Sequence, residues 1–179
     1  DADDLAREQR VVELLSERFG EWQREGFIPS AEIVPGYNTK QPIWERGWTH
    51  WHHLFNPRQL LVFGFLSSLC PNEVSLLWLG KMSDFNNRCS AWKSVDEAVN
   101  QLFTDQALNT LWNYGCKGFA SVASHFAKSK DLKCFGNTRL LIEDATKIKE
   151  VCDIWITDPP YADAVNYHEL TEFFLAWYD

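Results

Sequence analysis

Two short apolar segments near the end of the chain place the tightest limit on its fold. Residues 139–142 and 153–157 are rich in aliphatic and aromatic side chains, as expected of strands buried on both faces of a parallel sheet. The ten residues 143–152 between them are just enough for a short crossover. Because two strands cannot form a stable sheet alone, the other strands must come from elsewhere. The sequence therefore predicts an α/β fold that contains only part of its sheet.

The preceding part of the chain is predicted to be mainly helical. Val12, Leu15, Phe19 and Trp22 recur at steps of three and four residues, which indicates an amphipathic helix over residues 2–24. Asn56-Pro57 is typical of a helix start, since proline costs nothing in the first turn. Together these patterns predict helices at 2–24, 58–69, 73–91, 95–102, within 105–128 and at 165–178.

Three segments follow from this pattern. Residues 1–48 combine the first helix with an extended arm punctuated by glycine and proline, which favour loops. Residues 49–130 form a helical region, and residues 131–179 contain the two predicted strands and a last helix. The 179 residues suffice for one domain with a substantial core.

The composition limits the partners and the compartment. The net charge of −8 argues against this chain carrying the main contact with a phosphate backbone, which requires a basic surface. The five cysteines form no C-x-x-C pair, so neither a disulfide framework nor a zinc ribbon is indicated. We expect a protein of the reducing cytoplasm, with no signal peptide and no membrane segment, since the apolar run 60–69 is too short to span a bilayer.

The second apolar segment leads directly into Asp158-Pro159-Pro160-Tyr161. The carboxyl end of a strand is where open α/β sheets bind ligands. Asp158 offers a carboxylate and Pro159 a backbone carbonyl, two acceptors for the N–H groups of a nucleobase amine. Consecutive prolines restrict the backbone and hold that carbonyl in place, and Tyr161 offers a ring on which an extruded base can stack. The alternative is a Pro-Pro turn in which Asp158 caps the following helix.

A further acid lies at the same predicted sheet edge. Asp144 follows the first apolar segment, so it can contact the base or a cofactor. It can equally cap the residues that follow it, and the sequence leaves both roles open.

These residues resemble a known family. Asp158-Pro-Pro-Tyr161 matches the catalytic motif of DNA amino-methyltransferases, and residues 162–177 are similar to the large prokaryotic adenine-specific DNA methylases that also contain a zinc ribbon. The resemblance covers most of the chain from about residue 35 onward, through three more stretches: Pro35-Gly-Tyr-Asn-Thr39; residues 54–61; and residues 84–92 with 103–108.

The resemblance implies a part of a Rossmann-like methyltransferase sheet in residues 131–179, with Asp158, Pro159, Pro160 and Tyr161 as catalytic residues. It implies N6-adenine methylation of DNA with S-adenosylmethionine as cofactor, often alongside restriction or phage-defence systems. The Gly-rich cofactor loop and the zinc-ribbon cysteines of the family have no counterpart here. We therefore expect a C-terminal-side segment whose cofactor loop lies in an upstream part of the enzyme or in a partner subunit.

Other residues give weaker indications. His50, His52 and His53 lack an acidic partner at ligand spacing, which favours a packed cluster over a metal site. Arg58 and Arg88 are candidates for phosphate contacts, with ordinary salt bridges as the alternative. His168 caps the last helix, makes a polar contact in the core, or lines a pocket.

Two other functions remain open. The substrate can be an RNA guanine amine, because some rRNA methyltransferases carry a similar tetrapeptide; a protein-glutamine methyltransferase fits less well, because that class resembles Asn at the first position. The non-enzymatic alternative is a helical docking or DNA-recognition lobe that retains the motif without binding cofactor.

Overall fold

The structure is a computed structural model that describes residues 1–70, 73–90, 92–104, 107–108, 139, 141–159 and 165–178. The described part is rich in α-helix. Its helices are α1 (Ala2–Arg24), α2 (Lys40–Arg46), α3 (Pro57–Ser68), α4 (Glu73–Phe85) and α5 (Tyr167–Leu175), with short 3₁₀ helices at Trp51–Leu54 and Ala145–Lys147. Two antiparallel pairs of two-residue strands accompany them: β1 (Trp92–Lys93) with β2 (Ala98–Val99), and β3 (Phe103–Thr104) with β4 (Ala107–Leu108).

The first and third helices confirm the sequence prediction and pack against each other. Leu15 and Trp22 of α1 are buried. In α3, a Cβ on Gly64 would overlap the Trp22 ring, so the glycine permits the close approach of the two helices. The start of α3 is fixed by Asn56, whose side chain accepts from the Gln59 backbone N–H at 2.8 Å, while Gln59 Oε1 accepts from the Asn56 N–H at 2.9 Å. This reciprocal capping satisfies donors that a helix start otherwise leaves unpaired.

An aromatic core joins the last helix to the middle of the chain. Phe173 of α5 and Trp177 just after it are buried. Phe173 lies 5.9 Å, centroid to centroid, from the Trp51 and Phe55 rings, and Trp177 lies 5.2 Å from Phe55 and Phe63. Large aromatic side chains bury much apolar area at such contacts. Residues of all three sequence segments therefore share one hydrophobic cluster.

The fourth helix ends earlier than the sequence pattern indicated, at Phe85 instead of near residue 91. Two asparagines immediately after it bond back to the helix: Asn86 Nδ2 donates to the Met82 carbonyl at 3.0 Å and Asn87 Nδ2 to the Ser83 carbonyl at 2.8 Å. The Asn87 side chain satisfies a carbonyl at the helix end, and the Asn86 side chain is a second donor to the Met82 carbonyl, which already accepts from the Asn86 backbone N–H at 3.0 Å. Asparagine side chains that bond to the backbone in this way favour the end of a helix.

The prediction of a helix over residues 95–102 is wrong. Residues 95–99 form part of the turn and the second strand of the β1–β2 hairpin, in which Trp92 pairs with Val99 and Lys93 with Ala98, and residues 100–102 follow the strand without regular structure. Lys93 and Asp96 close the turn through an ion pair between their side chains at 2.5 Å. Glu97 takes a positive φ of 45°, which a regular helix does not permit. Of the helix predicted within 105–128, only residues 107–108 are described, and they form β4.

The two apolar segments are not strands in this structure. Arg139, residues 141–142 and residues 153–157 are irregular and exposed; Ile142 and Ile156 have essentially full solvent exposure, at 105% and 92%. A strand requires a hydrogen-bonded neighbour, and the described residues offer these segments none. The prediction that they are buried strands is therefore wrong for this chain by itself, and no Rossmann-like sheet is seen in the described part.

Over the same described residues, none of the helices has both the length and the apolar character needed to cross a membrane.

Candidate functional site

The tetrapeptide Asp158-Pro159-Pro160-Tyr161 is only partly described. Asp158 and Pro159 lie at the end of the exposed segment 151–159. Pro160 and Tyr161 lie outside the described residues, so their predicted roles have no structural counterpart here. Asp158 and Pro159 are both exposed.

Asp144 takes the capping role that the sequence allowed. It precedes the 3₁₀ helix Ala145–Lys147, and its Oδ1 accepts from the Thr146 backbone N–H at 3.0 Å and from the Thr146 hydroxyl at 2.8 Å. These hydrogen bonds lower the pKa of Asp144, because they stabilise its charged form. A direct role with cofactor or base stays a prediction.

The helix that follows the tetrapeptide holds a loop from the beginning of the chain. Glu169 of α5 is buried, with 9% of its surface exposed. Its two carboxylate oxygens each accept one backbone N–H, from Tyr37 and from Asn38, both at 2.7 Å. A Cβ on Gly36 would overlap this carboxylate. Glycine at position 36 is therefore required for the carboxylate to approach the loop.

This contact, which we call the Glu169 clamp, was not foreseen. It joins two stretches on which the family resemblance rests, Pro35-Gly-Tyr-Asn-Thr39 and the segment after the tetrapeptide. The signal in the sequence was an acid in the first turn of α5, together with the Pro-Gly pair at residues 35–36. Nothing in either pattern by itself indicates that the two meet across more than 130 residues.

A cavity of about 160 Å³ lies beside the clamp. It is bounded by the loop residues Val34, Pro35, Gly36 and Thr39, by Trp51, and by His168, Glu169 and Glu172 of α5. Trp51 is 1% exposed, and its indole Nε1–H has no hydrogen-bond partner within the described chain. An unpaired buried donor costs roughly 1–3 kcal/mol, so this group is unusual in a folded protein. His168 lines this cavity, which agrees with one of the predicted alternatives for it. Its side chain is exposed, and its Nε2 lies 4.0 Å from Glu169 Oε1.

The three histidines form a packed cluster. Their ring centroids lie 4.4 to 5.4 Å apart, and His52 also packs edge-on against Phe19 at 5.2 Å. Burial lowers the pKa of His52 to about 4, with a further contribution from His53. Burial also lowers the pKa of His53. Within the described ranges, no group of three or more His, Cys, Asp or Glu side chains is arranged to hold a metal ion.

The two candidate arginines both have intramolecular partners. Arg58 is exposed and forms an ion pair with Glu8 of α1. The Arg88 guanidinium lies 4.8 Å above the centroid of the Trp48 ring and donates to the His53 carbonyl at 3.3 Å. The ion pair of Arg58 matches the salt-bridge alternative, whereas the contacts of Arg88 are with an aromatic ring and a backbone carbonyl. A contact of either arginine with phosphate stays a prediction.

The stretch 84–92 contains a buried acid that the sequence did not single out as functional. Asp84 is 9% exposed; its Oδ1 accepts from the Leu102 backbone N–H at 3.0 Å, and its own carbonyl accepts from the same N–H at 2.8 Å. Burial raises the pKa of Asp84 to about 6, although the backbone hydrogen bond from Leu102 opposes that shift. Asp84 therefore ties the end of α4 to the residues preceding β3.

Comparison of the chain with protein-family models, with curated proteins and with solved structures finds no match. The family resemblance therefore rests on the motifs alone.

Proposed function

We propose that this chain is part of an S-adenosylmethionine-dependent DNA adenine-N6 methyltransferase and supplies the residues that activate the target amine. The observation that carries the proposal is Asp158-Pro159-Pro160-Tyr161, placed directly after an apolar segment with the composition of a buried strand. The solvent exposure of Asp158 and Pro159 supports it, because acceptors for a substrate must be free to meet it.

The chemistry assigned to the motif is activation of a weak nucleophile. The lone pair of the adenine N6 amine is delocalised into the ring. The Asp158 carboxylate accepts one N–H and the Pro159 carbonyl the other, which draws the nitrogen toward tetrahedral geometry and frees its lone pair. Positioning of this kind lowers the barrier because the reacting groups are already oriented. Tyr161 stacks on the extruded base.

The described residues do not fit a complete cofactor site. The carboxylate of Asp144 accepts hydrogen bonds from Thr146, and the sheets of the described part are two-residue antiparallel pairs, with no parallel sheet to receive a nucleoside at its edge. We assign the cofactor loop to an upstream part of the enzyme or to a partner subunit. Residues 139–142 and 153–157 would pair with strands of that upstream part or partner subunit and so complete a Rossmann-like sheet. The exposed apolar side chains of Ile142, Ile154 and Ile156 support this pairing, because it would bury them.

A methyl-transfer assay tests the proposal. The chain is mixed with labelled S-adenosylmethionine and DNA, alone and with its upstream region, and Asp158→Ala is compared with Asp153→Ala, an exposed aspartate of the same segment. We expect Asp158→Ala to lose roughly 100- to 1,000-fold in rate, as when a group that stabilises a transition state is removed, and Asp153→Ala to retain the rate. Transfer that survives Asp158→Ala contradicts the proposal, and transfer to RNA in place of DNA supports the RNA alternative.

The second candidate function is a docking or DNA-recognition lobe without catalysis. The net charge of −8 and the absence of a Gly-rich loop in the sequence favour it for the chain by itself. Titration with S-adenosylmethionine in the presence of the upstream region separates the two functions. Failure to bind cofactor both with and without the upstream region supports the docking lobe.

A further inference from the structure

The turn at residues 49–54, which we call the histidine turn, holds the extended arm against the middle of the chain. Two backbone hydrogen bonds join the turn to the arm. The Thr49 carbonyl accepts from the Ile33 N–H at 2.8 Å, and the Trp51 N–H donates to the Ala31 carbonyl at 3.2 Å. A change in the conformation of this turn therefore reaches the arm directly.

The side chain of His53 closes the histidine turn. Its Nδ1 accepts from the backbone N–H of Thr49 at 3.1 Å and from that of His50 at 3.4 Å. A backbone N–H only donates, so Nδ1 carries no proton and the ring is a neutral imidazole with its proton on Nε2. A proton added to this ring would go to Nδ1, where it would remove the acceptor and face two N–H groups. The closed turn and the imidazolium form of His53 therefore exclude each other.

The groups next to His53 also oppose a positive charge on its ring. The centroid of the His52 ring lies 4.4 Å from that of His53, and the centroid of the His50 ring lies 5.4 Å away. The Arg88 guanidinium donates to the His53 carbonyl at 3.3 Å. Burial lowers the pKa of His53, and His50 and Arg88 add to the effect. Acid therefore adds charge to a group of side chains that is already rich in positive or ionisable nitrogen.

Two more charged groups lie near this cluster. Glu32 of the arm lies 4.0 Å from His50 Nε2, but its side chain is 83% exposed, so solvent weakens the attraction. The Arg46 guanidinium of α2 lies 5.8 Å from the centroid of the Trp48 ring, on which Arg88 also packs. The side chains of α1 that contact the cluster are uncharged: Phe19 and Gln23. Among the described residues, the surroundings thus repel an added proton more than they attract it.

We propose that His53 is a proton-sensitive cap, which holds the histidine turn closed when its ring is neutral and opens the turn when Nδ1 takes a proton from solvent. Opening breaks the hydrogen bonds that the turn makes with Ile33 and Ala31, and so loosens the arm. The inference rests on the geometry of the turn and stands apart from the role proposed for Asp158.

Nuclear magnetic resonance of the full chain tests the inference through two measurements. The ¹⁵N shifts of the His53 ring show which nitrogen carries the proton, and we expect this to be Nε2 at neutral pH. Hydrogen exchange gives the protection of the Ile33 and Trp51 amides, both in buried residues bonded to or within the turn. The Leu60 amide, which donates to the Asn56 carbonyl at the start of α3, is the internal control.

His53→Asn is the decisive variant, because asparagine Oδ1 branches from the same carbon as Nδ1 and can accept the same N–H groups without titrating. Once the turn is open, His53 binds a proton with the ordinary imidazole pKa of about 6.5. Below that pH, protection of the Ile33 and Trp51 amides in the unaltered chain should fall, relative to His53→Asn, by about tenfold per pH unit until the lowered pKa of the closed turn is reached. His168→Asn, which removes an exposed imidazole of α5, should behave as the unaltered chain does.

Three results would overturn the inference. The first is a proton on Nδ1 of His53 at neutral pH. The second is the same pH dependence of protection in the unaltered chain and in His53→Asn. The third is a parallel loss of protection at Leu60, which would show that acid opens the whole fold instead of this turn. None of these measurements involves methyl transfer, so their failure leaves the proposed function to be judged by the Asp158→Ala assay.

Discussion

Glu169 makes a specific contact, because its carboxylate accepts hydrogen bonds from two consecutive backbone N–H groups. We predict that Glu169→Ala lowers the free energy of unfolding by roughly 2–5 kcal/mol, since each hydrogen bond to a charged group contributes about 1.5–3 kcal/mol and the Tyr37 and Asn38 N–H groups are left without this acceptor. Urea denaturation measures the change. Glu172→Ala, one turn further along α5 and exposed, is the matched control and should change stability by less than about 0.5 kcal/mol. Equal stability of the two variants would contradict the clamp.

Gly36 tests the same contact from the loop side. A Cβ at this position would overlap the Glu169 carboxylate, so we predict that Gly36→Ala is destabilising by roughly 1–3 kcal/mol, the usual cost of overpacking. The double variant Gly36→Ala with Glu169→Ala should be more stable than the sum of the single effects indicates, because the overlap disappears with the carboxylate. Urea denaturation of the four proteins gives the coupling. Additive effects would show that Gly36 matters for another reason.

At the scale of elements, local sequence patterns correctly predicted the helices whose formation depends mainly on neighbouring residues. The helical spacing of apolar residues in α1 and the Asn56-Pro57 start of α3 were predicted correctly, because capping and amphipathic spacing depend on residues that are close together in the sequence. The hairpin at residues 92–99 was missed because its turn depends on the Lys93–Asp96 contact and on Glu97 in a positive φ. The Glu169 clamp was not predicted, because its residues are far apart in the sequence and no local sequence pattern indicates that they are in contact.

The exposure of residues 153–157 is itself testable. Ile156 is 92% exposed and Phe173 of α5 is fully buried. We predict that Ile156→Ser changes the free energy of unfolding of this chain by less than about 0.5 kcal/mol, whereas Phe173→Ala lowers it by roughly 3–5 kcal/mol. Thermal or urea unfolding compares the variants. A loss of several kcal/mol on Ile156→Ser would show that the segment is a buried strand in this chain after all, as its composition indicated.

For the whole molecule, the buried Asp84 and the half-buried His52 act oppositely on stability between about pH 4 and pH 6.5. Burial raises the pKa of Asp84 from 3.8 to about 6. The folded state therefore binds more protons than the unfolded state, and the contribution of Asp84 to stability decreases as pH rises through this window. A shift of this size corresponds to roughly 3 kcal/mol. Burial lowers the pKa of His52 from 6.5 to about 4, so its contribution is present above pH 6.5 and decreases as pH falls.

Single substitutions should reveal this compensation. Asn at position 84 can still accept the Leu102 N–H, so we predict that Asp84→Asn removes the acid-stabilising contribution and leaves a protein that loses stability steeply between pH 6.5 and pH 4.5. His52→Asn keeps a donor for the Pro29 carbonyl, which lies 3.0 Å from His52 Nδ1, and should remove the opposing contribution. Urea unfolding at pH 4.5, 5.5 and 6.5 should therefore rank the loss of stability on acidification as greatest in Asp84→Asn, intermediate in the unaltered chain and least in His52→Asn. His53, whose pKa is also lowered, acts in the same direction as His52 and remains in all three proteins, so it does not alter the ranking. Parallel pH profiles for the three proteins would mean that neither Asp84 nor His52 sets the response of the fold to pH.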